Sequence, residues 1–106
     1  MCFASEELLK ILANPTRRAI LQWLKAPSIA FASQTQLYPF DQYGVCASLI
    51  QHKAGLSQPA TSLSLKILLD ANLVIATRVG KWTYFKRNET VLQQSLDLLK
   101  QDIQTL

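Results

Sequence analysis

The sequence has few residues that bind metals or form covalent cross-links. It contains one histidine and two cysteines, Cys2 and Cys46, which are too few and too far apart for a recognisable zinc or disulfide framework. In a reducing compartment both cysteines are expected to be thiols. The carboxylates are scattered, and the sequence shows neither a glycine-rich phosphate loop nor a convincing nucleophile with a partner base. These absences argue against an enzyme.

Long apolar runs are also missing. No stretch approaches the roughly 20 apolar residues that span a bilayer, and residues 1–5 lack the basic flank and apolar stretch of a signal peptide. A chain of 106 residues, of which 49% are hydrophobic and 17% charged, fits one folded domain over residues 1–106. We expect a cytoplasmic, nucleoid-associated protein of bacterial type. Because so small a domain buries a modest core, we also expect two copies to associate.

Positive charge is concentrated in one part of the chain. From Val45 to Arg87, six basic side chains stand against one acid, Asp70, so this segment carries a formal charge of +5, compared with +4 for the whole chain. A surface that neutralises DNA phosphates and releases their counterions needs such a concentration of charge. A solvated basic face is the alternative interpretation.

The first third of the chain predicts two helices. Ser5 is a suitable N-cap for a helix that runs to about Ala13. Asn14 and Pro15 suit the N-cap and first position of a second helix, which ends before Pro27. Two arginines in its first turn oppose the helix dipole, so they either bind a partner such as a DNA phosphate or are simply exposed. The apolar face of the first helix is Leu8, Leu9, Ile11 and Leu12, that of the second is Ile20, Leu21 and Leu24, and the two arginines are Arg17 and Arg18.

The middle of the chain predicts a helix-turn-helix. Residues 26–44 contain two prolines and several aromatic residues without a clear period, so we expect a long surface connection. A short helix over residues 45–54 ends at Gly55, which suits a left-handed turn, and Ser57 caps the next helix, which runs to about Ala71. Two helices joined by a short glycine-containing turn form a helix-turn-helix. It spans about 45–71, with Val45, Leu49 and Ile50 facing inward in its first helix and Thr61, Leu65, Leu68 and Leu69 in its second.

The last third predicts a β-hairpin and a final helix. Two β-rich runs within about residues 73–87 flank Gly80-Lys81, a hairpin turn signal. In residues 90–106, apolar residues recur at alternating spacings of four and three, which is typical of a helix packed against another helix. Packing within the subunit is one explanation, but we favour a dimer because the first helix (about 5–13) and the last have few other partners. The predicted dimerisation residues are Leu8, Leu12, Leu92, Leu96, Leu99 and Ile103.

The stretch from Gly55 to Leu68, followed by Ala71-Asn72-Leu73-Val74 and a basic hairpin, resembles the ArsR/SmtB-type winged helix-turn-helix transcriptional regulators. The matching elements are the Leu-Ser-Gln opening, the Ser-x-x-Leu-Lys-x-Leu core, the Leu-Val start of the wing and the Gly-Lys-Trp-Thr-Tyr-Phe second strand. Residues 8–21 resemble the family's opening helices, so the resemblance covers nearly the whole chain except residues 27–43. It implies a mainly α fold with a small β-hairpin, in which N- and C-terminal helices form a homodimer. It also implies a repressor of transcription, and the two-fold symmetry of the dimer predicts double-stranded DNA with an imperfect inverted repeat as its operator.

The second helix of such a motif enters the major groove with the face opposite its core stripe. Gln58 can bind an adenine edge and Lys66 a phosphate, whereas Leu63 can touch a thymine methyl or be partly buried. Relatives often carry histidine at Leu63 and Ser64, so the resemblance does not indicate the base preference. In the wing, Trp82, Tyr84 and Phe85 are expected to pack the hairpin onto the helices. The predicted DNA-binding residues are Ser57, Gln58, Ala60, Ser62, Leu63, Lys66, Arg78 and Lys81, with Arg87 as a further candidate.

The signal that would release such a repressor from DNA is less clearly indicated by the sequence. Relatives often sense metals or metalloids through a Cys-x-Cys pair in the helix before the recognition helix, and here Cys46 is followed by Ser48, so the pair is broken. Cys2 and Cys46 together could bind a soft As(III) or Cd(II) ion, but a third ligand is missing. Thiol oxidation and inert packing of Cys46 are the other interpretations. No metal site is assigned, because the last helix lacks histidine and His52 is typical of a surface residue.

A rival function is a winged-helix module that binds protein or only dimerises, since folds do not fix functions. A DNA-binding protein that uses several lysines and arginines loses affinity steeply as salt rises. Salt dependence of binding to DNA therefore separates the two interpretations.

Overall fold

The computed structural model describes the backbone of residues 3–106 and the side chains of residues 5–106. No helix in this part of the chain is long and apolar enough to cross a membrane. The elements, in chain order, are α1 (Phe3–Leu12), α2 (Pro15–Lys25), α3 (Pro27–Ala30), α4 (Phe40–Tyr43), β1 (Val45–Cys46), α5 (Ala47–Ala54), α6 (Gln58–Asp70), β2 (Val74–Val79), β3 (Trp82–Arg87) and α7 (Glu89–Gln104).

The first two helices meet at a sharp break. The predicted N-cap at Ser5 is wrong, because α1 already begins at Phe3 and the Ser5 side chain is buried within its first turn. The prediction for α2 is confirmed: Oδ1 of Asn14 accepts hydrogen bonds from the backbone N–H groups of Thr16 and Arg17 at 2.9 and 3.1 Å, and Pro15 is the first helical residue. This cap satisfies donors that the first turn of a helix leaves unpaired.

Residues 26–44 are more than a surface connection. They form the short helices α3 and α4, and Phe31 between them is buried in the core. The Phe31 ring packs edge-on against Trp23 of α2 and lies 6.1 Å from the Phe40 ring. The predicted surface connection is therefore mostly exposed, but the absence of regular structure and of a core contribution is wrong, because α3 and α4 form and Phe31 packs against α2.

The helix predicted from Val45 begins two residues later. Val45 and Cys46 instead form β1, which pairs antiparallel with β3 so that Val45 lies opposite Phe85. The resulting sheet has the strand order β1-β3-β2, one strand more than the predicted hairpin. This pairing joins residues about 40 positions apart, and local periodicity does not report such contacts.

The core lies between α2, the helix-turn-helix and the sheet. α2 contacts α1, α3, α5, α6 and β3. Two predicted core positions are exceptions, because Leu9 and Leu69 are exposed on the sides of α1 and α6 that face away from the subunit. The fully or almost fully buried residues include Ile20, Leu24, Val45, Ile50, Leu65, Leu68, Leu73, Val74 and Tyr84.

The wing and the last helix follow the prediction closely. β2 and β3 pair antiparallel from Val74–Arg87 to Val79–Trp82, and Gly80 in the turn has a positive φ of 61°. α7 begins one residue earlier than predicted, where the Asn88 side chain caps it by accepting the N–H of Val91. α7 packs against α1 of the same chain, so packing within the subunit accounts for part of its apolar stripe.

Candidate nucleic-acid interface

The turn between α5 and α6 has the geometry that a helix-turn-helix requires. Gly55 ends α5 in the left-handed region, with φ at 67°, and its N–H donates to the Gln51 carbonyl at 3.0 Å. Ser57 is confirmed as the N-cap of α6, since its Oγ accepts from the N–H of Ala60 at 3.3 Å. Thr61 donates its hydroxyl to the Ser57 carbonyl at 3.0 Å. These bonds fix the direction in which α6 leaves the turn.

The α6 helix has one buried and one exposed face. Thr61, Leu65 and Leu68 are buried, whereas the side chains predicted to face DNA are almost all exposed. Leu63 is 60% exposed, so the alternative that it is partly buried packing is wrong. The exposed members of the predicted set are Ser57, Gln58, Ser62, Leu63 and Lys66, and Ala60 is half-buried. Because Gln58, Ser62 and Lys66 are spaced by four, they form one row along the helix.

Lys66 is held by an acid of its own helix. Its Nζ lies 2.9 Å from Oδ2 of Asp70, with side-chain exposures of 69% and 63%. An exposed pair at this spacing contributes only about 0.3–0.5 kcal/mol to stability. Lys66 is therefore available to another anion at small cost. Sequence reasoning counted Asp70 as a charge but missed this contact, although the i,i+4 spacing could have shown it.

The tip of the wing is basic and aromatic. Arg78 is exposed and donates from Nε to the Gly80 carbonyl at 3.2 Å, and the exposed Lys81 amine lies 5.3 Å from the centre of the Trp82 ring. Tyr84 and Phe85 are buried as predicted, but Trp82 is 41% exposed and does not pack the hairpin fully onto the helices. It lies at the start of β3, beside the turn, where it is among the side chains that line the groove next to α6.

Other basic residues are used inside the subunit. Arg87 forms a bidentate salt bridge with Glu89, in which Nε and Nη2 lie 2.8 and 3.0 Å from the two carboxylate oxygens. It lies at the base of the wing and does not belong to its tip. Arg17 donates to the carbonyls of Ile11 and Lys10, and Arg18 donates to the carbonyl of Leu12. Arg18 is exposed, as one of the two interpretations expected, and Arg17 is half-buried. Both side chains also satisfy the last carbonyls of α1, a role that the sequence analysis did not foresee.

A groove separates the recognition helix from the wing. It has a volume of about 650 Å³ and lies between α5, α6 and β3. Gln58, Ser62 and Lys66 of α6 line one wall and Lys81 and Trp82 the other. The helix and the basic wing tip thus share one open face of the subunit.

Cys46 lies at the inner side of this groove. It is 6% exposed, and its Sγ is 3.2 Å from Oγ of Ser48, the residue that replaces the second cysteine of the family pattern. Its backbone N–H donates to the side chain of Gln36 at 2.8 Å. Among the described residues, no three histidine, cysteine or acidic side chains come close enough to hold a metal ion. Cys2 lies outside the described residues, so its predicted pairing with Cys46 stays a prediction.

The Gln36 side chain joins the long connection to the edge of the sheet through hydrogen bonds, which the sequence analysis did not predict. Its Nε2 donates to the carbonyls of Tyr38 and Gly44 at 2.8 and 2.7 Å, while its Oε1 accepts from Cys46. Nearby, burial raises the pKa of Tyr84 above its ordinary value, and Cys46 and Tyr38 add to this effect. The Tyr84 phenol therefore remains neutral well into the alkaline range.

The predicted dimerisation residues divide into two groups. Leu8 is buried in the core of its own subunit, and Leu12, Leu92 and Leu99 pack partly against that core. Leu96 and Ile103 are 53% and 57% exposed on α7. Leu9 of α1, the helix that packs against α7, is also exposed, so both helices carry apolar side chains that the subunit does not cover.

The fold and the exposed helix define the chain as a winged helix-turn-helix protein. Solved structures support this class: a solution structure of a homodimeric winged helix-turn-helix DNA-binding domain from Mycobacterium bovis, described as a possible ArsR-family transcriptional regulator, has a TM-score of 0.60 at 22% identity and covers 97% of this chain and 82% of its own. A crystal structure described as a possible transcriptional regulatory protein from the same species has a TM-score of 0.59 at 23% identity, covering 97% and 92%. No family model matches the chain.

Curated relatives define the family. The chain is 42% identical over 97 residues to YbzH of Bacillus subtilis (strain 168), an uncharacterised HTH-type transcriptional regulator, which covers 92% of this chain and 96% of the relative. It is 30% identical to the transcriptional repressor SdpR of the same species, covering 85% and 82%. A protein of Halobacterium salinarum named as an arsenical resistance operon repressor, ArsR2, is 39% identical over 54% of this chain and 50% of its own. The chain therefore belongs to the ArsR-type family of winged helix-turn-helix transcriptional regulators.

Proposed function

We propose that this regulator is a homodimeric repressor that binds double-stranded DNA at an imperfect inverted repeat. The observation that carries the proposal is the exposed row Gln58, Ser62 and Lys66 on α6, which lies across an open groove from the basic wing tip. A helix with polar exposed side chains beside a basic hairpin suits insertion into the major groove with the wing on the backbone or minor groove. The proposed contact residues are the eight predicted from the sequence.

The dimer is supported by exposed apolar residues on α1 and α7. Leu9, Leu96 and Ile103 are slightly more than half exposed, so burying the remainder of each side chain against a second copy would contribute about half of the roughly 1.5–3 kcal/mol that full burial of such a residue gives. The Mycobacterium bovis domain of the same fold is described as homodimeric. A two-fold axis through the α1–α7 surface would present two recognition helices to successive major grooves.

Fluorescence anisotropy tests DNA binding directly. The reduced protein is titrated into labelled DNA from its own upstream region at several salt concentrations between 50 and 200 mM, and the affinity should fall steeply as salt rises. Arg78→Ala and Lys66→Ala should weaken binding and flatten the salt slope by up to about one unit each. Lys25→Ala, at an exposed lysine that ends α2, is the matched control and should bind as the parent does. Failure of the parent protein to bind would instead favour a protein-interaction module.

We propose further that thiol chemistry at Cys46 releases the DNA. Cys46 and α6 line the same groove, and the thiol is packed against Ser48, so an added oxygen atom or a bound As(III) ion would displace neighbours of the recognition helix. Hydrogen peroxide or arsenite, each added to the protein–DNA complex, should lower the anisotropy. Cys46→Ser should abolish the response while retaining DNA binding. If the parent complex resists both reagents, Cys46 is a packing residue and the signal lies elsewhere.

A further inference from the structure

Asp70 occupies a position that helix stability does not explain. It is the last residue of α6, where the negative end of the helix dipole disfavours a carboxylate. Its partner Lys66 precedes it by four positions, which is the less favourable order for an ion pair on a helix. Both side chains are mostly exposed, so the pair adds little to folding. Asp70 is also the one acid among the six basic residues between Val45 and Arg87.

The position of Asp70 matters for the exposed face of α6. Asp70 and Lys66 both line the groove shared with the wing, and the Lys66 amine is 2.9 Å from the Asp70 carboxylate. A DNA phosphate that binds Lys66 either draws the amine away from Asp70 or shares it with the nearby like charge, and both are unfavourable. Each DNA contact by Lys66 is therefore made in competition with a carboxylate of the same helix.

We propose that Asp70 limits the affinity of this regulator for DNA by holding Lys66 in an intrahelical ion pair. The inference rests on the proposed DNA-binding function and deepens it by giving a role to a residue outside the predicted contact set. Asp70 acts on a phosphate contact, which carries no base information, so it lowers affinity without selecting a sequence. A repressor with moderated affinity is released by a smaller change in its recognition helix.

The experiment compares Asp70→Asn with Asp97→Asn in the anisotropy assay. Asp97 is an exposed acid of α7 that bonds to Gln93, so its substitution changes the net charge equally but away from α6. Asp70→Asn should tighten binding about twofold for each recognition helix, or about fourfold for a dimer with two of them, and should steepen the salt slope by up to about one unit. Asp97→Asn should change the affinity less than twofold.

A double-mutant cycle assigns the effect to Lys66. In a Lys66→Gln background, Asp70→Asn should raise the affinity for DNA no more than Asp97→Asn does, because no lysine remains to be released. The inference is overturned if Asp70→Asn raises the affinity for DNA equally with and without Lys66, or no more than the Asp97 control does. Either result would leave DNA binding by the parent protein intact. Thermal unfolding of Asp70→Asn should match the parent, since the carboxylate opposes the helix dipole. A parent protein without affinity for DNA would refute the proposed function itself.

Discussion

Adding a single methyl group at Gly44 should cause a large loss in the stability of this fold. It links α4 to β1 with φ at 90° and ψ at −159°, a region of backbone space that is essentially restricted to glycine. A Cβ atom at this position would lie 2.2 Å from the carbonyl oxygen of Phe85 and 2.5 Å from its carbonyl carbon. Both are backbone atoms of β3, so the clash cannot be relieved by rotating a side chain.

The cost of Gly44→Ala has two sources. An alanine forced into this conformation costs about 1–3 kcal/mol, and overpacking against a fixed neighbour costs about 1–3 kcal/mol more. The free energy of unfolding of a small domain is about 5–15 kcal/mol. The substitution should therefore remove a large share of the stability and separate β1 from β3.

Urea unfolding followed by circular dichroism measures this loss. Gly55→Ala and Gly80→Ala are matched controls, because both glycines have positive φ but no atom lies within 4 Å of the added Cβ. Each control should cost about 1–2 kcal/mol, the strain of a left-handed alanine alone. If the loss in free energy of unfolding caused by Gly44→Ala is within about 1 kcal/mol of the loss in these controls, the close packing of the α4–β1 link against β3 is wrong.

Three further predictions concern the sheet edge, the α7 surface and the buried phenol. Gln36→Ala removes three hydrogen bonds and leaves buried groups of the sheet edge unpaired, so urea unfolding should show a loss of about 1–3 kcal/mol, with the exposed Gln42→Ala unchanged. Leu96→Lys should convert a dimer to monomers in sedimentation velocity without changing helix content; a persistent dimer would contradict the proposed interface. Above about pH 10 the unfolded chain loses the Tyr84 proton more readily than the folded protein does, because the pKa of Tyr84 is raised by folding. The free energy of unfolding should therefore fall as the pH rises towards the raised pKa. In thermal melts at a series of pH values, Tyr84→Phe should show a shallower decline.

The helix-turn-helix and the wing could be predicted because their signals are local. Asn14-Pro15, Gly55 and Ser57 mark helix boundaries by capping chemistry, and Gly80 marks the turn of the hairpin, so these boundaries agree within one or two residues. The exposed face of α6 follows from the 3.6-residue period of its buried stripe. These features depend on residues within one helical turn of each other.

Two of the errors, at β1 and at Phe31, share one physical cause. Val45 and Cys46 have local patterns compatible with a helix, but pairing with β3 makes them a strand. Phe31 becomes a core residue because it reaches Trp23 and Phe40 across the loop. In each case, contacts distant in sequence outweigh local preference.

The sequence by itself determined a helix-turn-helix and a basic β-hairpin wing, because capping residues and apolar periods act locally, and its motifs resemble those of ArsR-type regulators. Only the tertiary structure decided which charges are free. It assigned Arg17 and Arg18 to the end of α1 and Arg87 to Glu89, while Arg78 and Lys81 remained at the wing tip. The number of basic residues can be counted from the sequence, but the partner of each one depends on distances that exist only after the chain has folded.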